Sequence, residues 1–450
     1  MAAAPSPSLV RAALGEVGSL ARLAAPLVGG LVLATAITLV DTAMLGPLGA
    51  VPLAAVSLTA SVVIIFYAAL YGFAGPVGLF AGRHHGGGTL AGIGRVARHG
   101  ALLGVVGGIG AALVMAAGLL VLPMAGQPPE VIAVIAPYWL CLSAMLVPFT
   151  LTLVAKQLLD STDRPWLSVL FTLPTVAINV ALNWVLIYGH LGFPALGLTG
   201  AGIASLAASC IGTAILWLYV RHGPSQRAWW DDRGLARGDL RQQLREGLPM
   251  MTQYALEGGA VAVAGFLVGY FGAVALAGNQ IAMSVGTTVY MLPLGMAAAV
   301  TIRVAQAAGA GNNGRIAAIG LAGIGTVTLW TALFALLFLL EGARIAGLFV
   351  DDPAVIAAAA AIFFVFGLTQ VIDGIQSVSL GALRGMLDNR WPTLVSIVAY
   401  WLLALPLAWL LGFVLDLGAP GIWGGFGIGL IVAAVALSHR FARRSLALAG

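Results

Sequence analysis

Three carboxylates, Asp41, Glu257 and Asp373, fall inside apolar runs with no basic residue near them in the sequence. On insertion scales an acid at mid-membrane costs about 2.5–3.5 kcal/mol, so three ionised and unpaired acids would cost on the order of 8–10 kcal/mol. Each must therefore face a cavity, carry a proton or hold a cation. Around Asp373, the residues Thr369, Gln370, Gln376 and Ser377 stand one turn before and one turn after it, a polar stripe on one helix face. Glu257 has Gln253 one turn before it. Asn179 and Asn183, four apart, and Gln280 beside Asn279 add amides that can coordinate a cation or hydrogen-bond a substrate. The same residue types also serve as ordinary contacts between membrane helices. The chemistry these groups allow is the binding and release of small cations, with either Na+ or a proton suited to a carboxylate pair.

Bond-making machinery is not visible. The sequence contains no Gly-x-x-x-x-Gly-Lys-Ser/Thr loop, which excludes transport powered by an ATPase of the chain's own. Gly-x-Ser-x-Gly, His-Glu-x-x-His and Cys-x-x-Cys are equally absent, so no enzyme and no cofactor are expected. His84-His85 has no further ligands nearby, and Cys141 and Cys210 lie within apolar runs as packing residues.

The elements that must hold the acids follow from composition. Only 8% of the 450 residues are charged and 60% are hydrophobic, against about 25% charged in soluble proteins. Apolar stretches of about 20 residues, each able to cross a hydrocarbon core of about 30 Å, recur twelve times between a first span at 22–45 and a last at 420–439. The long continuous runs exclude a β-barrel, whose segments alternate. The fold class is therefore an all-α polytopic membrane protein with twelve transmembrane helices.

With both termini placed in the cytoplasm, twenty of the 21 basic residues fall on the cytoplasmic side and only Arg344 outside. Missing a single helix would invert every later loop, so this count supports the topology. The basic excess is thus a topology signal, and no nucleic-acid partner is expected. The first helix, following Arg22, has no small-residue cleavage motif and is expected to stay in the mature protein.

Residues 222–246 form the one long polar stretch and read as a cytoplasmic linker between an N-terminal six-helix lobe at 1–221 and a C-terminal lobe at 247–450. Placing Pro26 over Pro249, an ungapped offset of 223, aligns Leu48-Gly-Ala-Val with Phe271-Gly-Ala-Val. Lys156-Gln-Leu-Leu-Asp160 resembles Arg384-Gly-Met-Leu-Asp388, and Gly197-Leu-Thr-Gly200 resembles Gly418-Ala-Pro-Gly421. The lobes read as a duplication, pseudo-symmetric about an axis along the membrane normal.

The motifs Leu23-Ala-Ala-Pro26, Val40-Asp-Thr-Ala-Met-Leu-Gly46 and Leu53-Ala-Ala-Val-Ser57 resemble the start of multidrug and toxic compound extrusion (MATE) transporters. Glu246-Gly-Leu-Pro249 with Glu257, Met291-Leu-Pro-Leu-Gly295, Val300-Thr-Ile-Arg-Val304 and Gly381-Ala-Leu-Arg-Gly385 resemble the NorM-type branch. The resemblance covers nearly the whole chain. It implies an antiporter, expected as a monomer in the lipid bilayer of the bacterial inner membrane, exporting small organic cations such as drugs and dyes against inward Na+ or H+. Asp41, Glu257 and Asp373 match the branch's acidic positions. One departure is Asn183, where some relatives carry an acid beside the first-lobe carboxylate.

The coupling cation is therefore expected at Glu257 and Asp373, which would be the Na+ ligands if sodium couples. Asp41, with Asn179, Asn183, Gln253, Gln280, Thr369 and Gln370, is expected to bind substrate or a proton. The competing reading is a lipid-linked oligosaccharide flippase of the related fold. Its cavity should expose several arginines, whereas every arginine here reads as lying at a helix end or in a loop.

Overall fold

The computed structural model describes residues 7–125, 128–231, 234 and 237–449, apart from the side chains of 36–40, 42, 125, 237 and 449. Asp232 and Arg233 of the expected linker lie outside the described residues. Among the described residues, twelve helices are long and apolar enough to cross a membrane. They are α1 (Pro7–Leu45), α2 (Ala50–Gly86), α3 (Leu90–Ala117), α4 (Pro129–Ser161), α5 (Pro165–Tyr188) and α6 (Gly197–His222) in the first half. The second half holds α7 (Arg237–Gly269), α8 (Ala273–Gly309), α9 (Gly314–Gly347), α10 (Pro353–Gly385), α11 (Arg390–Val414) and α12 (Gly418–Ala449).

The first and last helices run past the expected spans of 22–45 and 420–439. The 39 residues of α1 reach roughly 58 Å at 1.5 Å per residue, far more than the hydrocarbon needs. A hydropathy pattern marks only the part of a helix that lipid covers, and the polar extensions carry no such signal.

The chain separates into two compact units, one made of Gly29–Met251 and the other of Met1–Val28 with Thr252–Gly450. The divisions fall inside α1 and α7, not in the polar stretch 222–246. Each lies two residues after a proline, Pro26 or Pro249, where the missing N–H interrupts the helical ladder. From Arg237 that polar stretch is already helix, the beginning of α7.

Within the first unit the core gathers around α4, which packs on α2, α3 and α6, with Trp139 and Leu158 fully buried. Trp139 Nε1 donates to the Met115 carbonyl at 2.7 Å, pinning α4 to α3. In the second unit α10 takes the same place, packing on α8, α9 and α12. Leu20, Leu23 and Leu27 of α1 join this second core with Val300, Val378 and Leu383, and Arg315 pairs with Glu16 at 2.7 Å.

The repeat is visible in backbone detail. Gly49 and Gly272, 223 positions apart, precede α2 and α8 with φ of 98° and 94°, a conformation that side-chain-bearing residues rarely adopt. At the start of α6 and of α12, Gly200 and Gly421 press against the carbonyls of Leu186 and Leu411. A β-carbon on Gly421 would sit 2.7 Å from the Leu411 carbonyl oxygen, and backbone cannot swing aside. Gly421→Val is therefore expected to destabilise the second unit by about 1–3 kcal/mol, measured as a lowered thermal unfolding midpoint of the detergent-solubilised protein. An unchanged midpoint would show that α11 and α12 yield at this contact.

The lysine- and arginine-led repeats end alike. Asp160 is buried and held by Lys156 Nζ at 3.4 Å and by the Ser168 hydroxyl of α5 at 2.7 Å. Asp388 is held by Arg440 at 2.8 Å and Arg444 at 3.0 Å, both on α12. Each aspartate fastens the end of its lobe's central helix to another helix.

Candidate functional site

The three acids lie in different surroundings. In the first unit Asp41, near the end of α1, accepts a hydrogen bond from Asn183 Nδ2 of α5 at 2.9 Å. The same nitrogen donates to Asn179 Oδ1 at 3.1 Å, and Asn179 Nδ2 reaches the Ser205 hydroxyl of α6 at 3.3 Å. Asn183 Oδ1 is buried without a partner among the described residues. The tyrosines Tyr67 and Tyr138 lie close enough to feel the charge of Asp41. The helical spacing of Asn179 and Asn183 puts both amides on one face of α5, and Tyr188 holds that helix to α1 through a 2.6 Å bond to the Met44 carbonyl.

The second unit brings the other two acids together. Glu257 of α7 and Asp373 of α10 are both half-buried and their charges interact. Among the described residues no cation forms a direct ion pair with either. Next to them runs a chain of hydroxyls and amides. The Tyr290 hydroxyl of α8 meets Ser377 Oγ at 2.6 Å, Ser377 Oγ donates to Gln376 Oε1 at 3.4 Å, and Gln376 Nε2 donates to the Tyr400 hydroxyl at 3.3 Å. Both tyrosines feel the charges of Glu257 and Asp373.

Tyr400 is placed by a stretch of α11, Ile397–Ala404, wound as a π-helix. Such bulges carry one extra residue per turn and occur often at functional sites. The adjacent Trp401 Nε1 donates to the Leu256 carbonyl at 3.0 Å, tying α11 to α7 immediately beside Glu257.

The polar stripe on α10 divides its work. Gln376 and Ser377 enter the network with the tyrosines, and Gln370 is buried. Thr369 turns its hydroxyl to the carbonyls of Val365 and Phe366, while its methyl closes on Gly427 of α12. On α8, Gln280 is exposed, and its neighbour Asn279 is the buried amide, accepting Trp423 Nε1 at 2.7 Å.

Gln253 is fully buried and faces Arg384, whose guanidinium donates to Gln253 Oε1 at 3.1 Å and to the Tyr254 hydroxyl at 2.7 Å. Arg384 also lies 4.4 Å from the centroid of the Tyr254 ring, is 7% exposed and exerts an attraction on Glu257. By its place in the sequence Arg384 reads as one more helix-end arginine on the cytoplasmic side. It does lie in the last turn of α10, but its side chain turns inward to α7. A signal was present, since Arg384 stands three helical turns after Asp373 and so shares its face. Tyr290 and Tyr400 gave no such signal, because an aromatic residue in an apolar run reads as packing.

One family model, MatE, matches residues 26–185 and matches again at 249–410. The chain belongs to the MatE family. The two matches begin at Pro26 and Pro249, the same 223-residue offset seen in the sequence and in the paired glycines. This MatE chain is similar to the probable multidrug resistance protein NorM of Rhizobium meliloti, 32% identical over 94% of this chain and 92% of that protein. Its identity to the protein of the same name from Pseudomonas putida is 34%, covering 97% and 96% of the two chains. The crystal structure of the eukaryotic MATE transporter AtDTX14 shares the fold, with a TM-score of 0.86 at 19% identity over 97% of this chain and 99% of that one. The MatE family is one of membrane transporters, and this chain is a NorM-type transporter, not an enzyme.

Proposed function

We propose that the chain is a secondary active multidrug exporter of the bacterial inner membrane, moving organic cations out in exchange for inward Na+ or H+ by alternating access. The observation that carries this reading is the pair Glu257 and Asp373, two interacting half-buried carboxylates beside a tyrosine, serine and glutamine network and without a direct ion-pair partner among the described residues. Two like charges held together in a membrane interior are stabilised when a cation enters between them. The names of the relatives supply the class of cargo, and the arginine count supplies the orientation.

In this mechanism Glu257 and Asp373 take the coupling cation from outside, which drives release of the drug, and drug rebinds only after the cation has left inward. Asp41, with Asn179 and Asn183, serves as a substrate or accessory proton site, and Gln253, Gln280, Thr369 and Gln370 are proposed as further polar contacts. Each charge moving down the potential supplies about 2.3 kcal/mol per 100 mV, enough together with a concentration gradient to drive export of a monovalent cation.

Inverted membrane vesicles holding the protein, exposed to a fluorescent organic cation, test the reading. Imposing a sodium gradient and a proton gradient separately should drive accumulation under one of them, and the responsive gradient names the coupling ion. Accumulation under neither would overturn antiport.

A further inference from the structure

Away from the acids, the first unit carries a second concentration of charge where α3 begins and α6 ends, the side that the arginine count assigns to the cytoplasm. A cavity of about 740 Å³ is lined there by Arg98, Arg221, His222, Arg227, Trp230 and Asp231. Three arginines and a histidine thus face one aspartate. Arg221 and Arg227 are exposed and form no ion pair with any carboxylate among the described residues. Arg221 and Arg98 lie over the Trp230 ring, their guanidinium carbons 5.0 and 5.9 Å from its centroid.

The cavity is built, not a chance meeting of side chains. The turn Arg227–Trp230 is a short 3₁₀ helix closed onto the end of α6 by bonds from Gln226 N to the Gly223 carbonyl at 3.1 Å and from Trp229 N to the Gln226 carbonyl at 2.9 Å. Trp230 Nε1 donates to the Val220 carbonyl at 3.1 Å. On the other side Trp229 is buried, and its carbonyl abuts Gly94 of α3, where a β-carbon has no room. Arg98 Nη2 is steadied by the Gly234 carbonyl at 3.2 Å. Arg227 therefore projects from a turn fastened to both α3 and α6, while Arg98 and Arg221 project towards it from those two helices.

The surroundings decide what anion fits. One turn deeper than Arg98 on α3 is Leu102, 49% exposed, and one turn deeper than His222 on α6 is Leu218, 60% exposed. Exposed leucines at that depth meet acyl chains, and a tryptophan at the rim suits the headgroup level. A ligand with a phosphate above and hydrocarbon beside it satisfies both parts, whereas a free phosphate would use only the arginines.

We propose that the pocket formed by Arg98, Arg221, Arg227 and Trp230 holds the phosphate headgroup of an anionic glycerophospholipid from the cytoplasmic leaflet. The test uses the full-length protein in detergent, titrated with phosphatidylglycerol or phosphatidylcholine and read by native mass spectrometry. Phosphatidylglycerol should be retained preferentially. The double variant Arg221→Gln with Arg227→Gln should weaken that retention by roughly 30-fold and leave phosphatidylcholine unchanged, while the two Arg→Lys changes keep most of it.

Arg227→Gln alone removes a side chain with no hydrogen bond or ion pair among the described residues, so it serves if the double variant fails to fold, with a loss of roughly 5-fold. Inorganic phosphate at equal concentration should not displace the lipid. Unchanged phosphatidylglycerol retention in the glutamine variants, or full displacement by inorganic phosphate, would overturn the proposal.

Discussion

Asp373→Asn is expected to insert and fold normally yet lower ion-driven efflux by at least about 100-fold in the vesicle assay. The substitution keeps shape and hydrogen-bonding reach, so packing around α10 has no reason to change, and a neutral group at this depth removes an insertion cost of about 2.5–3.5 kcal/mol. What it deletes is one of the two charges that make a cation favourable there. Glu257 cannot compensate, because part of its charge is already answered by Arg384. Asp373, on which no arginine among the described residues acts, is the carboxylate with the most to gain from a bound cation. Expression level and thermal midpoint should match those of the parent protein. A variant that exports at the parent rate under the effective gradient would remove the second-lobe pair from the coupling mechanism.

The parts of this molecule legible in the sequence are those that lipid dictates. Twelve apolar runs had to become twelve helices, because a backbone in hydrocarbon must satisfy its own hydrogen bonds. Asp41, Glu257 and Asp373 stood out for the related reason that acids are expensive in that solvent. Legibility fails where water or a neighbouring helix takes over. Residues 237–246 are polar enough to read as a linker but start α7 with Gln243 buried, since a helix end outside the membrane needs no apolar run. Asp160 and Asp388 read as helix-end acids, yet both are buried. Asp160 is held by Lys156 one turn earlier and by Ser168 of α5, and Asp388 by two arginines of α12; only the fold brings Ser168, Arg440 and Arg444 near.

The candidate site divides in the same way. Spacing alone placed Asn179 and Asn183 on one face of α5, and both fall in the hydrogen-bonded group with Asp41. No spacing rule could bring Tyr290 of α8 or Tyr400 of α11 to Ser377 and Gln376, because those contacts depend on how three helices cross. The π-helical winding that presents Tyr400 leaves no local sequence mark beyond Pro406 two residues after it ends.

Arg384 carries the second large expectation. Its charge acts on Glu257 from a buried position fixed by Gln253 and Tyr254, so it competes with any cation that approaches that carboxylate. A competing unit charge in a partly solvated interior amounts to about 1–2 kcal/mol, or roughly 10-fold in affinity. Arg384→Gln should therefore bind the coupling ion about 10-fold more tightly and turn over more slowly, because the ion is held when it should leave. Arg384→Lys, which keeps the charge but loses the two-pronged contact with Gln253 and Tyr254, should stay closer to the parent in ion affinity. Ion affinity would be read from the concentration dependence of drug release, and turnover from initial efflux rates at saturating gradient. A merely structural role predicts weaker ion binding and a lower thermal midpoint in both variants. Tighter binding with slower export in the glutamine variant alone would show that Arg384 sets the release step, acting on the ion through Glu257 without touching it.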